Sequence, residues 1–142
     1  MKLSTRGKYA VYAMQYLAAH AGEGPQSLQS ISAVGVPKQY LEQILGNLRR
    51  AGLVTTVRGA LGGYQLARDP HEMSMRDIID AAEGPIELSE CAGAEPACHR
   101  SGTCAVRRVW QRVTDSINNE LDKIRLSDML EPVCESEETD HE

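Results

Sequence analysis

Between Thr5 and Ala21 the apolar residues Ala10, Ala13, Met14, Leu17 and Ala18 recur at helical spacing and so share one face of a first helix. Ser4 and Thr5 supply N-cap oxygens at its start, and Gly22 closes it. Beyond the turn from Gly22 to Pro25, Ser27 caps a short second helix with Leu28 and Ile31 inward, ending near Gly35. A helix that short is stable only when packed on neighbours. Pro37 suits the first turn of a third helix, in which Leu41, Ile44, Leu45 and Leu48 form the inward stripe and Gly52 marks the end. Its other face carries Lys38, Gln39, Tyr40, Glu42, Gln43, Arg49 and Arg50.

The pattern then changes. Leu53 to Arg58 is β-branched and apolar, Gly59 to Gly63 is a turn, and Tyr64 to Leu66 alternates, which predicts a two-stranded hairpin. A fourth helix, Ser74 to Ala82, turns Met75, Ile78 and Ile79 inward and stops at Gly84 and Pro85. Ile86 to Thr103 has no periodicity and reads as a loop, with the cysteines gathered in it and at its end. From Cys104 to Arg125 the residues Val106, Val109, Trp110, Val113, Ile117, Leu121 and Ile124 mark one continuous helical face. A helix of about 20 residues reaches about 30 Å. That is longer than so small a domain covers, so the face is expected to meet a second copy in a two-fold homodimer, with Trp110 in the dimer core rather than against a cofactor.

Helix, short helix, helix, hairpin is the order of a winged helix-turn-helix. The expected fold is therefore mainly α with a small β-hairpin wing. A winged helix-turn-helix DNA-binding domain spans 1–84 and a cysteine-rich cluster-binding loop 85–103. A dimerisation helix with a short following helix fills 104–130, and an acidic disordered tail 131–142.

Charge sharpens this division. The chain carries −5 overall, yet residues 1–70 hold eight Lys or Arg against three Asp or Glu, a net of +5, while residues 71–142 carry −10. Only the first half is suited to phosphate. Six of the last twelve residues are acidic and none from Glu135 onward is apolar, the composition of a disordered segment. No apolar run approaches the ~18 residues of a membrane span, and the N-terminus has no signal-like apolar stretch, so the expected location is the cytoplasm. There, four cysteines read as thiols or metal ligands rather than disulfides. No Ser-His-Asp arrangement, phosphate loop or dinucleotide fingerprint is present, and the four histidines are scattered at 20, 71, 99 and 141, which argues against an enzyme.

The second helix of a helix-turn-helix lies in the major groove, where each base pair offers its own pattern of donors and acceptors. On the third helix Lys38, Gln39 and Gln43 can donate to base edges, Tyr40 can reach a phosphate or a thymine methyl, and Glu42 can accept from a cytosine amino group. Arg49 and Arg50 add positive charge to the same face. Arg58 and Gly59 open a glycine-rich turn that suits a wing in a minor groove, whose negative potential attracts Arg. Cys91, Cys98 and Cys104 are separated by six and five residues in the loop. Thiolates in a flexible segment are the usual iron-sulfur ligands. A zinc site, buried thiols and redox-active cysteines stay open on spacing alone.

Several stretches carry a resemblance over nearly the whole chain, to about Leu130. They are Leu-Ser-Thr-Arg-Gly-Lys-Tyr-Ala-Val (Leu3 to Val11), Tyr-Leu-Glu-Gln (Tyr40 to Gln43), Leu-Arg-Arg-Ala-Gly-Leu-Val (Leu48 to Val54), Val57 to Gly59, Gly62 to Tyr64, the three cysteines and the Trp110 helix. Together these are similar to the iron-sulfur cluster regulator (IscR) family, with its relatives the nitric-oxide sensor NsrR and the cysteine-metabolism repressor CymR. The resemblance implies that Tyr40, Glu42, Gln43 and Arg58 read or clamp DNA. It further implies that Cys91, Cys98 and Cys104 bind an iron-sulfur cluster, of 2Fe-2S type, and that a homodimer sits on a palindromic double-stranded operator controlling iron-sulfur assembly genes. One position departs from the pattern. A histidine is expected three residues after the last cysteine, but Arg107 stands there, and a guanidinium that stays protonated cannot ligate iron. The fourth ligand is left open among His99, Cys134 and a group from the first helix of the other subunit. Gly22 to Leu28 is similar to the CymR branch, whose members need no cluster and work through a protein partner; nitric-oxide sensing of the NsrR kind is the other alternative.

Overall fold

The computed structural model describes residues 4–86 and 105–130. Among them the order is α1 (Thr5–Ala19), α2 (Leu28–Ser32), α3 (Lys38–Arg50), β1 (Val54–Val57), β2 (Gly63–Leu66), α4 (Met75–Glu83) and α5 (Ala105–Lys123), with 3-10 turns at Ala21–Glu23, Pro70–Glu72 and Leu126–Leu130. Serines start three of the helices by satisfying N–H groups that have no partner within the helix, Ser4 and Ser27 as expected and Ser74 in addition. Ser4 Oγ accepts from Gly7 N–H at 3.4 Å and Ser27 Oγ from Ser30 N–H at 3.1 Å. Ser74 and Asp77 form a reciprocal capping box, each backbone N–H donating to the other's side chain at 3.0 Å. Ser74→Ala is expected to destabilise the protein by about 1 kcal/mol, read as a lower urea midpoint with an unchanged slope.

α1 runs through the centre of the core. Ala10, Ala13, Met14 and Leu17 on it are buried, as are Leu41, Ile44, Leu45 and Leu48 of α3 and Ile78 and Ala82 of α4. The alanines let the partner helices approach closely, and the larger side chains fill the remaining space. Ser4 N–H donates to Glu83 Oε2 at 3.2 Å, tying the start of α1 to the end of α4.

Three details differ from the sequence-based expectation. α1 ends at Ala19 with His20 as its cap, rather than running on to close at Gly22, and within the expected turn Gly24 has a φ of 87°, which suits glycine. Met75 is only half-buried, whereas Met73, outside the helix, is fully buried. Because Ser74 is the cap, Met75 falls on the first turn at the helix edge, while the extended backbone at Met73 turns that side chain into the core. The third difference is the return of the chain after α5. Met75 N–H donates to Ile124 O and Leu126 N–H to Met73 O, both at 2.8 Å, and Leu126 is wholly buried in the core of the N-terminal domain. Arg76 Nη1 donates to Asp122 Oδ2 at 2.9 Å, a half-exposed ionic link between α4 and α5, while Arg76 Nε lies 3.6 Å from Asp80 Oδ2 within α4. The hydrogen bond from Arg76 to Asp122 raises the guanidinium's pKa, and partial burial raises that of the Asp80 carboxyl.

Candidate nucleic-acid interface

α3 directs its apolar stripe into the core, so the opposite face is presented outward by the period of the helix. Lys38, Gln39, Tyr40, Glu42, Gln43, Arg49 and Arg50 are all exposed. By helical rotation Gln39, Gln43, Gly46 and Arg50 stand opposite the buried stripe, with Lys38 and Tyr40 to either side. Tyr40 is held from α1 by the Tyr9 ring, centroids 6.0 Å apart and planes tilted by 57°. Arg50 Nη2 donates to Asn47 Oδ1. Among the described residues none of Lys38, Arg49, Arg50 and Arg58 is paired with a carboxylate, so their charge is available to a polyanion. Gly46, which pattern reading passes over, lies in the middle of this face with the Arg50 guanidinium over it, 3.7 Å from where a Cβ would stand. A glycine inside a helix costs about 1 kcal/mol relative to alanine, so its presence there is a signal in its own right.

The hairpin pairs Val54 with Leu66, Thr55 with Gln65, Thr56 with Tyr64 and Val57 with Gly63. Its turn closes through Gly62 N–H donating to Gly59 O at 3.0 Å, and Arg58, Gly59, Ala60 and Leu61 are exposed around the tip. The wing is clamped to the helix-turn-helix at both ends. Leu53 N–H donates to Leu48 O at 3.0 Å, joining β1 to the end of α3. Gln26 and Tyr64 exchange both backbone hydrogen bonds at 2.8 Å, joining β2 to the residues just before α2. A Cβ on Gly63 would overlap the Gln26 carbonyl, and one on Gly62 the Val57 carbonyl. Gly63→Ala is therefore expected to spring the clamp, costing about 1–3 kcal/mol of stability and loosening DNA binding about tenfold. Thermal unfolding and a DNA-binding isotherm on the same preparation test both effects.

The described residues thus bring Lys38, Gln39, Tyr40, Glu42, Gln43, Arg49, Arg50, Arg58 and Gly59 onto one helix and the hairpin that follows it. The predicted ligand residues Cys91, Cys98, Cys104, His99 and Cys134 lie outside the described residues. Among the described residues no three His, Cys, Asp or Glu are grouped to hold a metal ion, and no helix is long and apolar enough to cross a membrane.

α5 begins at Ala105, directly after Cys104. Of its side chains only Thr114 is buried; Val106, Val109, Trp110 and Val113 are exposed to solvent. The stripe runs on through Leu121 and Ile124 into an apolar groove of about 340 Å³ shared with Val11 and Tyr12 of α1 and Met75 and Ile79 of α4. One turn beyond Cys104, Arg107 Nε is buried and has no hydrogen-bond partner among the described residues.

The family model described as an iron-dependent transcriptional regulator, Rrf2, matches residues 3–132. The chain is 39% identical over 131 residues to the HTH-type transcriptional regulator IscR of Aliivibrio salmonicida, covering 92% of this chain and 77% of that protein. It is 41% identical over 130 residues to the HTH-type transcriptional regulator CymR of Bacillus subtilis, covering 91% and 89%. Among solved structures it is similar to T. potens IscR, with a TM-score of 0.76 and 42% identity over 99% of this chain and 94% of that one.

Proposed function

We propose, starting from the fact that this chain belongs to the Rrf2 family of transcriptional regulators, that it is an iron-sulfur-responsive regulator acting as a homodimer on a palindromic operator. Regulation of transcription, not catalysis, is what the curated relatives do. The observation that carries the finer reading is the continuity of α5. It starts at the residue after Cys104 and presents an unpartnered apolar stripe. At Leu126 it hands the chain back to the core on which α3 is packed. A change in the cysteine segment therefore has a stiff path to the spacing of two recognition helices. Coupling of this kind is typically worth about 1–3 kcal/mol, a factor of about 5–150 in operator affinity.

The donor set suits an iron-sulfur cluster. Cys91, Cys98 and Cys104 would hold it as thiolates, which make the assembly anionic. Arg107, excluded as a ligand, stands three residues after Cys104 with a buried Nε donor that has no acceptor among the described residues, a counter-charge suited to such a group. α1 itself contains no Asp, Glu, Cys or His, but His20 caps its end, so the fourth ligand is left among His99, Cys134 and a group from the first helix of the other subunit. When bound, the cluster supplies a redox- and iron-sensitive crosslink between the cysteines; the protein's part is to convert that crosslink into the orientation of α5.

Anaerobic purification followed by visible absorption and iron and sulfide analysis tests this, with the triple Cys91→Ala, Cys98→Ala, Cys104→Ala variant as control. A sulfide-bearing chromophore present in the natural protein and lost in the variant is the expected result. Absence of iron and sulfide after anaerobic reconstitution would overturn it. A second reading is favoured by Gly22 to Leu28 and by the 41% identity to B. subtilis CymR: a thiol-responsive repressor working through a protein partner without a cluster. It requires DNA switching to survive substitution of all three loop cysteines.

A further inference from the structure

The wing tip reads Arg58-Gly-Ala-Leu-Gly-Gly63, and Leu61 is its one bulky apolar side chain. Leu61 is 91% exposed, the highest value among the large apolar residues described. An isolated leucine on a surface needs no explanation by itself. This one sits where turn chemistry favours Gly, Asn, Asp, Ser or Pro, so the local rule is broken with no packing gained. The tip around it is stiff: Gly62 N–H closes the turn on Gly59, Gly62 packs on the Val57 carbonyl, and the Gln26–Tyr64 exchange anchors β2 to the residues before α2. Neighbouring Gly59, Gly62 and Gly63 carry no side chain, and Arg58 on the same turn carries a charge paired with no carboxylate among the described residues and suited to a minor groove. Leucine is among the apolar side chains that enter base steps from the minor groove, and pyrimidine–purine steps yield to this most easily.

Resting on the DNA-binding reading above, we propose that Leu61 is an apolar wedge. It enters the minor groove beside Arg58, kinks the duplex at the step it meets, and so selects flanking bases by deformability. The recognition helix reads the half-site; Leu61 sets the preference next to it.

Selection from a random-sequence duplex library with the full natural chain and with Leu61→Ser tests this, together with fluorescence-transfer measurement of bending on the selected duplex. The natural chain is expected to enrich a pyrimidine–purine step at a fixed distance outside each half-site. Leu61→Ser is expected to keep the half-site, lose the flanking step, bind its duplex about tenfold more weakly and bend it less. An unchanged flanking preference or an unchanged bend in the variant overturns the wedge. Failure of the natural chain to enrich any motif would instead remove the DNA-binding reading itself. Because the side chain packs against nothing, thermal unfolding of the variant should match that of the natural protein, and it serves as the folding control.

Discussion

Introducing Val109→Glu and Trp110→Glu together is expected to convert the proposed dimer to a folded monomer and to weaken operator binding by about 10²- to 10⁴-fold, the advantage lost when two half-sites are no longer bound by one linked unit. Val109 is 56% and Trp110 39% exposed in the single chain. Neither contributes to the core, so the monomer should keep its thermal midpoint when extrapolated to low concentration. Glutamate is a good helix former, and α5 should survive the substitutions. What they remove is the apolar stripe that the proposed dimer buries: two carboxylates per chain would face their counterparts across a two-fold axis in a dry interface. Analytical ultracentrifugation and a binding isotherm on a palindrome and on a single half-site decide the matter. If the variant sediments like the natural chain, or binds the palindrome as tightly, the dimer face lies elsewhere.

Leu126→Ala should be the most costly single truncation in the segment after α5. The side chain is wholly buried among core residues of the N-terminal domain, and its backbone is hydrogen-bonded to Met73. Leaving a cavity there is expected to cost about 2–5 kcal/mol, against a total stability of about 5–15 kcal/mol for a domain of ordinary size. The urea midpoint should fall accordingly. A second consequence follows from position. Leu126 is where α5 is fastened to the N-terminal domain, so on the proposed cluster-sensing role, conditions that leave the variant folded should show a smaller difference in operator affinity between cluster-loaded and cluster-free protein. A full-sized difference with reduced stability would mean that the signal travels by another contact, for example the Arg76–Asp122 pair.

The candidate interface was legible because its chemistry is local. An exposed face opposite a stripe of leucines, and an arginine on a glycine turn, follow from helical period and turn preference over a dozen residues. Gly46 was passed over, because the meaning of a glycine in an amphipathic helix depends on the face it occupies. The clamp between Gln26 and Tyr64 was not legible. It joins backbone groups 38 positions apart through hydrogen bonds that no side-chain pattern records. The prohibition on a Cβ at Gly63 arises only because that contact exists.

The same division holds for the chain as a whole. By itself the amino-acid sequence determined the amphipathic faces of α1, α3, α4 and α5, the serine caps, the hairpin, the asymmetry of charge and the grouping of three thiols. Each depends on residue type and short-range spacing, which a chain carries before it folds. Only the tertiary structure decided that Met73 rather than Met75 enters the core and that Leu126 fastens the long helix to the domain. It also decided that the wing and the helix-turn-helix form one unit. These outcomes depend on which distant segments compete for the same buried space and the same backbone donors, and that competition is settled by packing the whole chain at once.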